Sequence, residues 1–280
     1  MSSIFNKKKE LACPICDSAM NLWVVLPNGI LYRCPSCEHC LTDTESIDQV
    51  ELYGSNYYLE THRNSFENPN FSLFDQLRFK IVNHGATSLL DVGCGNGAFL
   101  KYMQNAVTGI TLTGIDLSEV DTKEQIIFVS GDFLRFDFKQ KFDVIVSLAV
   151  IEHLTDVCLF IRRCHELLNT NGKAFIMTLN EKSLLYEIAK LLRRIEVTSP
   201  FVRLYDVHHI NHFSQKSLIH LLTKDGLFKV DTIINHNTSL SAIDLPGKNC
   251  ITQHIMKIGV AIIFFIGRII NKTYLQTIVI

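Results

Sequence analysis

"LLDVGCGNGAFL", residues 89–100, decides the fold. An apolar run carries Asp91 and gives way to Gly93, Gly95 and Gly97 before a second apolar stretch begins. A strand that passes through glycines into a helix leaves a turn without β-carbons. A ligand can then approach the backbone closely at a helix amino terminus. In doubly wound sheets ligands bind where the strands end at the switch point. The turn fits two templates. Gly93, Gly95 and Ala98 satisfy G-x-G-x-x-G/A of dinucleotide sites, and Asp91 with the three glycines satisfies D-x-G-x-G-x-G.

Outward from this turn the chain alternates strand and helix patterns. "SLLDV" (88–92), "TLTGI" (111–115), "IIFVS" (126–130), "FDVIVSL" (142–148) and "KAFIMTL" (173–179) read as buried parallel strands. Amphipathic stretches such as "DVCLFIRRCHELL" (156–168) lie between several of them. Unbroken apolar strands alternating with helices predict an α/β sheet covered on both faces. "LFKVDTIINH" and "LQTIVI" (275–280) read as a closing pair of strands.

The acids that follow decide between the two templates, although the role of Asp116 is common to both. Asp91, just before the glycines, could hold an ammonium group through ordered water, whereas an anionic pyrophosphate would not welcome it. Asp116 closes the second strand in "TGIDLS", where a carboxylate can accept both hydroxyls of a ribose. Asp132 follows the third strand in "SGDFLRFDF" and could accept an adenine amino group, with Phe133 beside the ring. The fourth strand then opens into "SLAVIEHLTD".

In this order the elements resemble the class I S-adenosylmethionine-dependent methyltransferases, over about residues 75–236. The resemblance implies a Rossmann-like seven-stranded sheet with helices on both faces. It implies cofactor contacts at Asp91, Gly93, Cys94, Gly95, Gly97, Asp116, Leu117, Asp132, Phe133 and Ser147. One departure is visible: only "LSEVDTKEQI" separates the second and third strands, so the usual second helix shrinks to a turn or so.

Methyl transfer is a displacement at a sulfonium carbon. The protein must hold the acceptor in line and, where needed, remove its proton. Candidates are the histidines on the ligand side: His153 in "IEHL", and His208, His209 and His212 in "VHHINHFS", before a helix capped by Ser214. Methyltransferases of sugars and other small metabolites that carry an amino-terminal CxxC pair often show "EHL" and "H-x-x-x-F-S". His153 and His209 occupy those positions and are the catalytic candidates, with His208 and His212 read as scaffold. A metal held by this histidine cluster is the weaker reading, because no flanking acid has a metal-ligand spacing. "ELYGSNYYLE" (51–60) resembles the linker of such proteins, and its Tyr57 or Tyr58 would roof the pocket. Arg193, Arg194 and Arg203 lie where an acceptor lid is expected, at about 181–213, and arginine suits phosphate.

The amino terminus poses a separate question. Cys13-Pro-Ile-Cys16 and Cys34-Pro-Ser-Cys37 match C-x2-C-x15–20-C-x2-C, a zinc-ribbon spacing. The intervening "NLWVVLPNGILYR" reads as two strands around Pro27-Asn28-Gly29, a hairpin that would bring the pairs together. Four thiolates close the metal shell, so the zinc reads as structural; His39 or Cys40 could replace a ligand, and a bystander role is the preferred reading for both. The expected organisation is therefore a zinc ribbon over 1–48, a linker and first helix covering the cofactor pocket over 49–87, and the catalytic domain over 88–280.

Composition bounds the remainder. The chain has 280 residues, a formal net charge of −1 and 20 % charged residues, without a nucleic-acid signature. Within residues 1–60, Lys7, Lys8, Lys9 and Arg33 stand against eight acids, the wrong sign for a phosphate surface. "MSSIFNKKKELACP" has no apolar segment behind its basic run, so no secretory signal is read and a reducing cytoplasm is expected. "IGVAIIFFIG" (258–267) is too short to span a bilayer. It reads as a buried helix, with peripheral membrane contact through 255–270 as the alternative. The reading that results is methyl transfer to a small molecule: a sugar, a nucleotide-sugar or a lipid-linked glycan precursor. An NAD-dependent oxidoreductase, a zinc-ribbon RNA methyltransferase and a non-catalytic recruiting module are its competitors. Oligomeric state leaves no mark in the sequence.

Overall fold

The computed structural model describes residues 10–27, 29–43, 67–118, 125–243, 245 and 250–280. The amino-terminal hairpin is β1 (Asn21–Leu26) and β2 (Gly29–Arg33), followed by β3 (Cys40–Asp43). Then come α1 (Phe71–Asn83), β4 (Ser88–Val92), α2 (Ala98–Ala106), β5 (Thr111–Asp116), β6 (Ile127–Ser130) and β7 (Phe142–Leu148). A short 3-10 turn, Ile151–His153, leads to α3 (Val157–Leu167) and β8 (Leu168–Leu179). The chain continues through α4 (Leu184–Arg194), α5 (Ser199–Leu204), β9 (Asn211–His212), α6 (Gln215–Thr223), β10 (Thr232–His236), α7 (Cys250–Ile269) and β11 (Leu275–Val279).

Seven strands form one sheet in the order β10-β11-β8-β7-β4-β5-β6. The pairs from β8 through β7, β4 and β5 to β6 are parallel, and β11 runs antiparallel to both β8 and β10. The chain moves from β4 outward to β6 and then returns to β7 on the other side of β4. That reversal makes the carboxyl ends of β4 and β7 the switch point, where a crevice opens.

Alternate residues of each strand serve opposite cores, as the period of two requires. Leu89, Val144 and Val146 pack with Leu77 of α1 and Leu100 and Met103 of α2. Leu90, Val92 and Ile145 pack with Phe160 and Ile161 of α3 and Leu218 of α6. The sheet is thus covered on both faces, as the unbroken apolar strands predict.

The amino-terminal sheet extends beyond the expected hairpin. Its order is β1-β2-β3-β9, so a two-residue strand more than 160 positions downstream completes it. Val24 and Leu31 of the hairpin share a core with Tyr186, Phe201 and Tyr205 of the 181–213 segment. Glu181, at the end of β8, is buried. It accepts hydrogen bonds from Arg33 of β2 and from Tyr205, and Lys190 lies 2.8 Å away. Arg33 also stacks on Trp23 at 3.9 Å.

One expectation is overturned. The 258–267 stretch is not a buried helix but part of α7, which starts at Cys250 and exposes most of its apolar side chains. It is inserted between the paired strands β10 and β11 and packs beside α4, with Gly267 against Leu184 and Phe264 against Tyr274. The expectations for Tyr57 and Tyr58, for residues 49–66 of the 49–87 linker and for most of the shortened second helix (119–124) fall outside the described residues.

Candidate active site

The glycine turn leaves β4 with Gly93, Gly95 and Gly97 all at positive φ (70°, 52° and 73°). The space is as demanding as the torsions. A β-carbon on Gly93 would lie 2.3 Å from Val150 Cγ2, and one on Gly97 would lie 2.7 Å from Phe128 Cζ. The Gly93 amide donates to the Ile115 carbonyl at 2.8 Å, and the Gly95 amide donates to Asp116 Oδ2 at 2.8 Å. Asp116 thus fastens the turn from the end of β5, while its Oδ1 accepts from the Ser118 amide and hydroxyl. Leu117, next along, is 71 % exposed, an apolar face left open at the rim.

Asp91 is 3 % exposed and accepts no hydrogen bond among the described residues. Burial, and then the neighbouring Asp116 charge, push its carboxyl well above the usual range. A buried carboxylate without a partner is costly, and a cationic ligand group at the crevice would relieve it. Ser147, level with Val92 at the end of β7, is also buried with its hydroxyl unsatisfied. Both orphans lie on the two strands that flank the switch point. They fit an amino-acid moiety of an S-adenosylmethionine-like ligand, which offers a cation and several acceptors.

Asp132 Oδ1 accepts from the Leu134 amide at 2.9 Å, and its side chain is partly exposed. The Phe133 ring is turned inward against Phe160, at 5.5 Å between centroids, in the core beneath the site. Cys94 is buried, and burial raises its thiol, consistent with a small loop residue rather than a reactive one.

Across the switch point, β7 is followed by Ala149 at φ 59°, an uncommon conformation for a residue other than glycine. This kink starts the turn that carries Glu152 and His153. His153 Nδ1 sits 2.8 Å from the His208 carbonyl. A carbonyl only accepts, so Nδ1 carries the proton and Nε2 keeps the lone pair. Burial lowers the His153 pKa, keeping the ring neutral. The ring of His209 lies 4.9 Å from that of His153. Glu152, missed by the sequence reading, is buried and accepts from Thr178 Oγ1 at 2.9 Å; burial raises its pKa to about 7. Glu152, His153 and His209 each present a ligand atom within 4.8 Å of the others. The expectation that no flanking acid has a metal-ligand spacing is corrected: Glu152 offers a carboxylate oxygen within 4.8 Å of both histidines' ring nitrogens. Such a trio can pass a proton or hold a divalent cation. His212 is buried against Thr42 Oγ1 at 2.9 Å, and burial holds it down at about 3, a scaffold histidine.

The amino-terminal sheet holds this trio in place. Thr42 of β3 donates to the His209 carbonyl at 2.9 Å. Asn211 of β9 is 3 % exposed and joins three segments. Its Oδ1 meets His39 Nε2 at 3.1 Å, and its amide nitrogen donates to the Leu154 carbonyl at 2.6 Å and more weakly to Ile151 at 3.4 Å. His39 is a bystander to the cysteines but a tie to the active site.

Cys13, Cys16, Cys34 and Cys37 bring their sulfurs within 4.8 Å of one another. The Cys13–Cys37 and Cys16–Cys34 separations are 3.5 and 3.4 Å. Those are far too long for disulfides and close to the edge of about 3.8 Å in a tetrahedron of 2.3 Å Zn–S bonds. The two knuckles also repeat one geometry. Asp17 and Glu38, each four residues after the first cysteine of its pair, take positive φ (60° and 67°), and their amides return to the Cys13 and Cys34 carbonyls. The donor set fits a structural zinc ion. Cys40 is buried away from this cluster.

The sequence profile of a family described as a methyltransferase domain matches residues 59–232. The chain belongs to this family. Among curated methyltransferases, the ubiquinone biosynthesis O-methyltransferase of Pelagibacter ubique is 31 % identical over 54 % of this chain and 72 % of its own length. That of Pseudomonas putida F1 is 29 % identical over 39 % of this chain, and the match spans about half of that relative (51 %). The sheet order and glycine turn are those of an S-adenosylmethionine-dependent methyltransferase, and solved methyltransferases share the fold. The Burkholderia thailandensis 1,6-didemethyltoxoflavin-N1-methyltransferase, solved with S-adenosylhomocysteine, superposes with a TM-score of 0.52 at 12 % identity, over 92 % of this chain and 97 % of its own. A methyltransferase from Archaeoglobus fulgidus gives 0.51 at 17 % identity, over 80 % of this chain and 98 % of its own.

Proposed function

We propose that this methyltransferase transfers a methyl group from S-adenosylmethionine to a sugar, a nucleotide-sugar or a lipid-linked glycan precursor in the cytoplasm. The carrying observation is the switch point itself. Asp91, which accepts no hydrogen bond among the described residues, stands on β4 just before the glycine turn, and the Glu152–His153–His209 trio stands beyond the end of the neighbouring β7. A donor and an acceptor held there would meet.

S-adenosylmethionine supplies an electrophilic methyl group on a sulfonium. Asp91 would hold its ammonium, Gly93, Cys94, Gly95 and Gly97 would face it with backbone, and Asp116 would take the ribose hydroxyls. Leu117, Asp132 and Phe133 would bound the adenine, Phe133 through its place beneath the loop, and Ser147 would close the amino-acid end. His153 and His209 would orient the acceptor and take its proton, with Glu152 beside them. Neutral His153, with its Nε2 lone pair, suits that task. The 181–213 segment would close over the acceptor, and Arg193, Arg194 and Arg203 would favour a phosphorylated one. A zinc ion at Cys13, Cys16, Cys34 and Cys37 would make the amino-terminal ribbon a rigid brace. A lipid-linked acceptor would bring the enzyme to a membrane, and 255–270 is the segment placed to touch it.

The test is turnover of labelled S-adenosylmethionine against a panel of nucleotide-sugars and polyprenyl-phosphate sugars. Methylation of one class, reduced at least about tenfold in His153→Ala and His209→Ala, supports the reading. Full turnover in both variants removes the histidines from the mechanism.

A further inference from the structure

Among the described residues, helix α7 exposes a run of large apolar side chains. Ile251, Ile255, Ile258, Ile262, Phe265 and Ile269 recur every three or four residues and are 50–72 % exposed. At 3.6 residues per turn they form one stripe. The opposite side meets the protein: Phe264 is buried, its carbonyl accepts from Asn237 Nδ2 at 3.2 Å, and Gly267 abuts the Lys272 carbonyl. His254, Lys257, Arg268 and Lys272 are exposed beside the stripe, and no acid occurs anywhere in residues 250–280.

The helix has the length and apolarity to cross a bilayer, but its connections forbid that. Its 20 residues measure about 30 Å, the thickness of the hydrocarbon core. The strands on either side of it are paired directly, His236 against Leu275, within the seven-stranded sheet. If α7 crossed, residues 237–249 would have to run back through hydrocarbon beside it. Its described part, 237–243, holds the 3-10 turn Leu240–Ala242 and no continuous helix. Its backbone polar groups would be unsatisfied in lipid. A helix parallel to the surface meets neither obstacle.

We propose that α7 lies in the headgroup region of an anionic bilayer, its isoleucine stripe facing the acyl chains and Lys257, Arg268 and Lys272 facing the lipid phosphates. The charge pattern selects lipid over a second copy of the chain. The stripe spacing would suit helix pairing, but two such helices would bring only cations together, with no acid to pair them. The inference deepens the peripheral-contact reading and rests on that part of it, independent of which acceptor is methylated.

The experiment is flotation of the full chain with vesicles of phosphatidylcholine alone or mixed with phosphatidylglycerol, alongside light scattering of the lipid-free protein. The expected result is a monomer that floats at least about tenfold better with the anionic vesicles. Ile255→Glu/Ile262→Glu should abolish flotation, and Lys257→Glu/Arg268→Glu should remove the anionic preference. Both should keep the wild-type melting temperature and S-adenosylhomocysteine affinity, which shows that they fold. Flotation unchanged in the isoleucine variant overturns the proposal. So does a lipid-free dimer that the isoleucine variant dissociates, which would make the stripe a homotypic interface. A chain that floats as expected but methylates no glycan precursor leaves the membrane inference standing and sinks the acceptor reading.

Discussion

Asn211→Ala tests the tie between the cysteine-bearing sheet and the catalytic trio. Asn211 is buried and makes two well-formed hydrogen bonds, to His39 Nε2 at 3.1 Å and to the Leu154 carbonyl at 2.6 Å. Burial holds His39 down at about 3, so it is neutral with the proton on Nε2 and has no water to turn to. Alanine leaves one donor and one acceptor orphaned. At about 1–3 kcal/mol each, the loss is about 4 kcal/mol. For a chain of this size that corresponds to a melting temperature lower by about 8 °C. Asn211→Asp retains the acceptor for His39 and loses the donor to Leu154, so it should fall between. Among the described residues the glycine turn makes no bond to Asn211, so calorimetry with S-adenosylhomocysteine should show affinity changed by less than about threefold. Turnover should fall at least about tenfold, because His153 and His209 lose their common anchor. An unchanged melt would refute the reasoning. Cofactor affinity lost as heavily as turnover would show a general collapse instead.

Three further outcomes are expected. Gly93→Ala forces a β-carbon to 2.3 Å from Val150 at φ 70°, and S-adenosylhomocysteine affinity measured by calorimetry should drop at least about a hundredfold. Emission spectrometry should find one zinc per chain in the native protein and none in Cys34→Ser. Chelation should lower the melting temperature by more than about 10 °C, as expected when metal binding is coupled to folding. Asp143 accepts from the Thr87 amide and hydroxyl, the Ser88 amide and Asn169, and these donors, Asn169 foremost, hold its carboxyl below the usual range. A depressed acid stabilises above its unfolded pKa and loses that contribution as pH falls. Urea midpoints should therefore show Asp143→Asn destabilised at pH 7, with the gap closing below about pH 4.

The elements that carry local patterns were legible in the sequence. The strands from Ser88 to Leu179, the Gly93–Gly97 turn, the Ser214 cap and the paired cysteines each follow from spacing within a few residues, and the structure places them accordingly. Long-range pairings leave no such trace. Asn211 is one polar residue in "HHINHF", and only its position beside β3 gives it three partners. Glu152 looks like a solvent-facing acid until the kink at Ala149 turns it inward to Thr178. Glu181 gains its role only when Arg33 and Tyr205 converge on it from distant segments. Helix α7 was misjudged because its apolar stripe passes through polar residues, Thr252, Gln253 and His254, that hide its amino-terminal half from a search for continuous hydrophobicity.

The cofactor pocket supports every later step, and titration calorimetry with S-adenosylhomocysteine and with NAD tests it most directly. One S-adenosylhomocysteine should bind per chain, at least about a hundredfold more weakly in Asp116→Ala, with no heat from NAD. Binding of NAD together with silence toward S-adenosylhomocysteine would contradict the account.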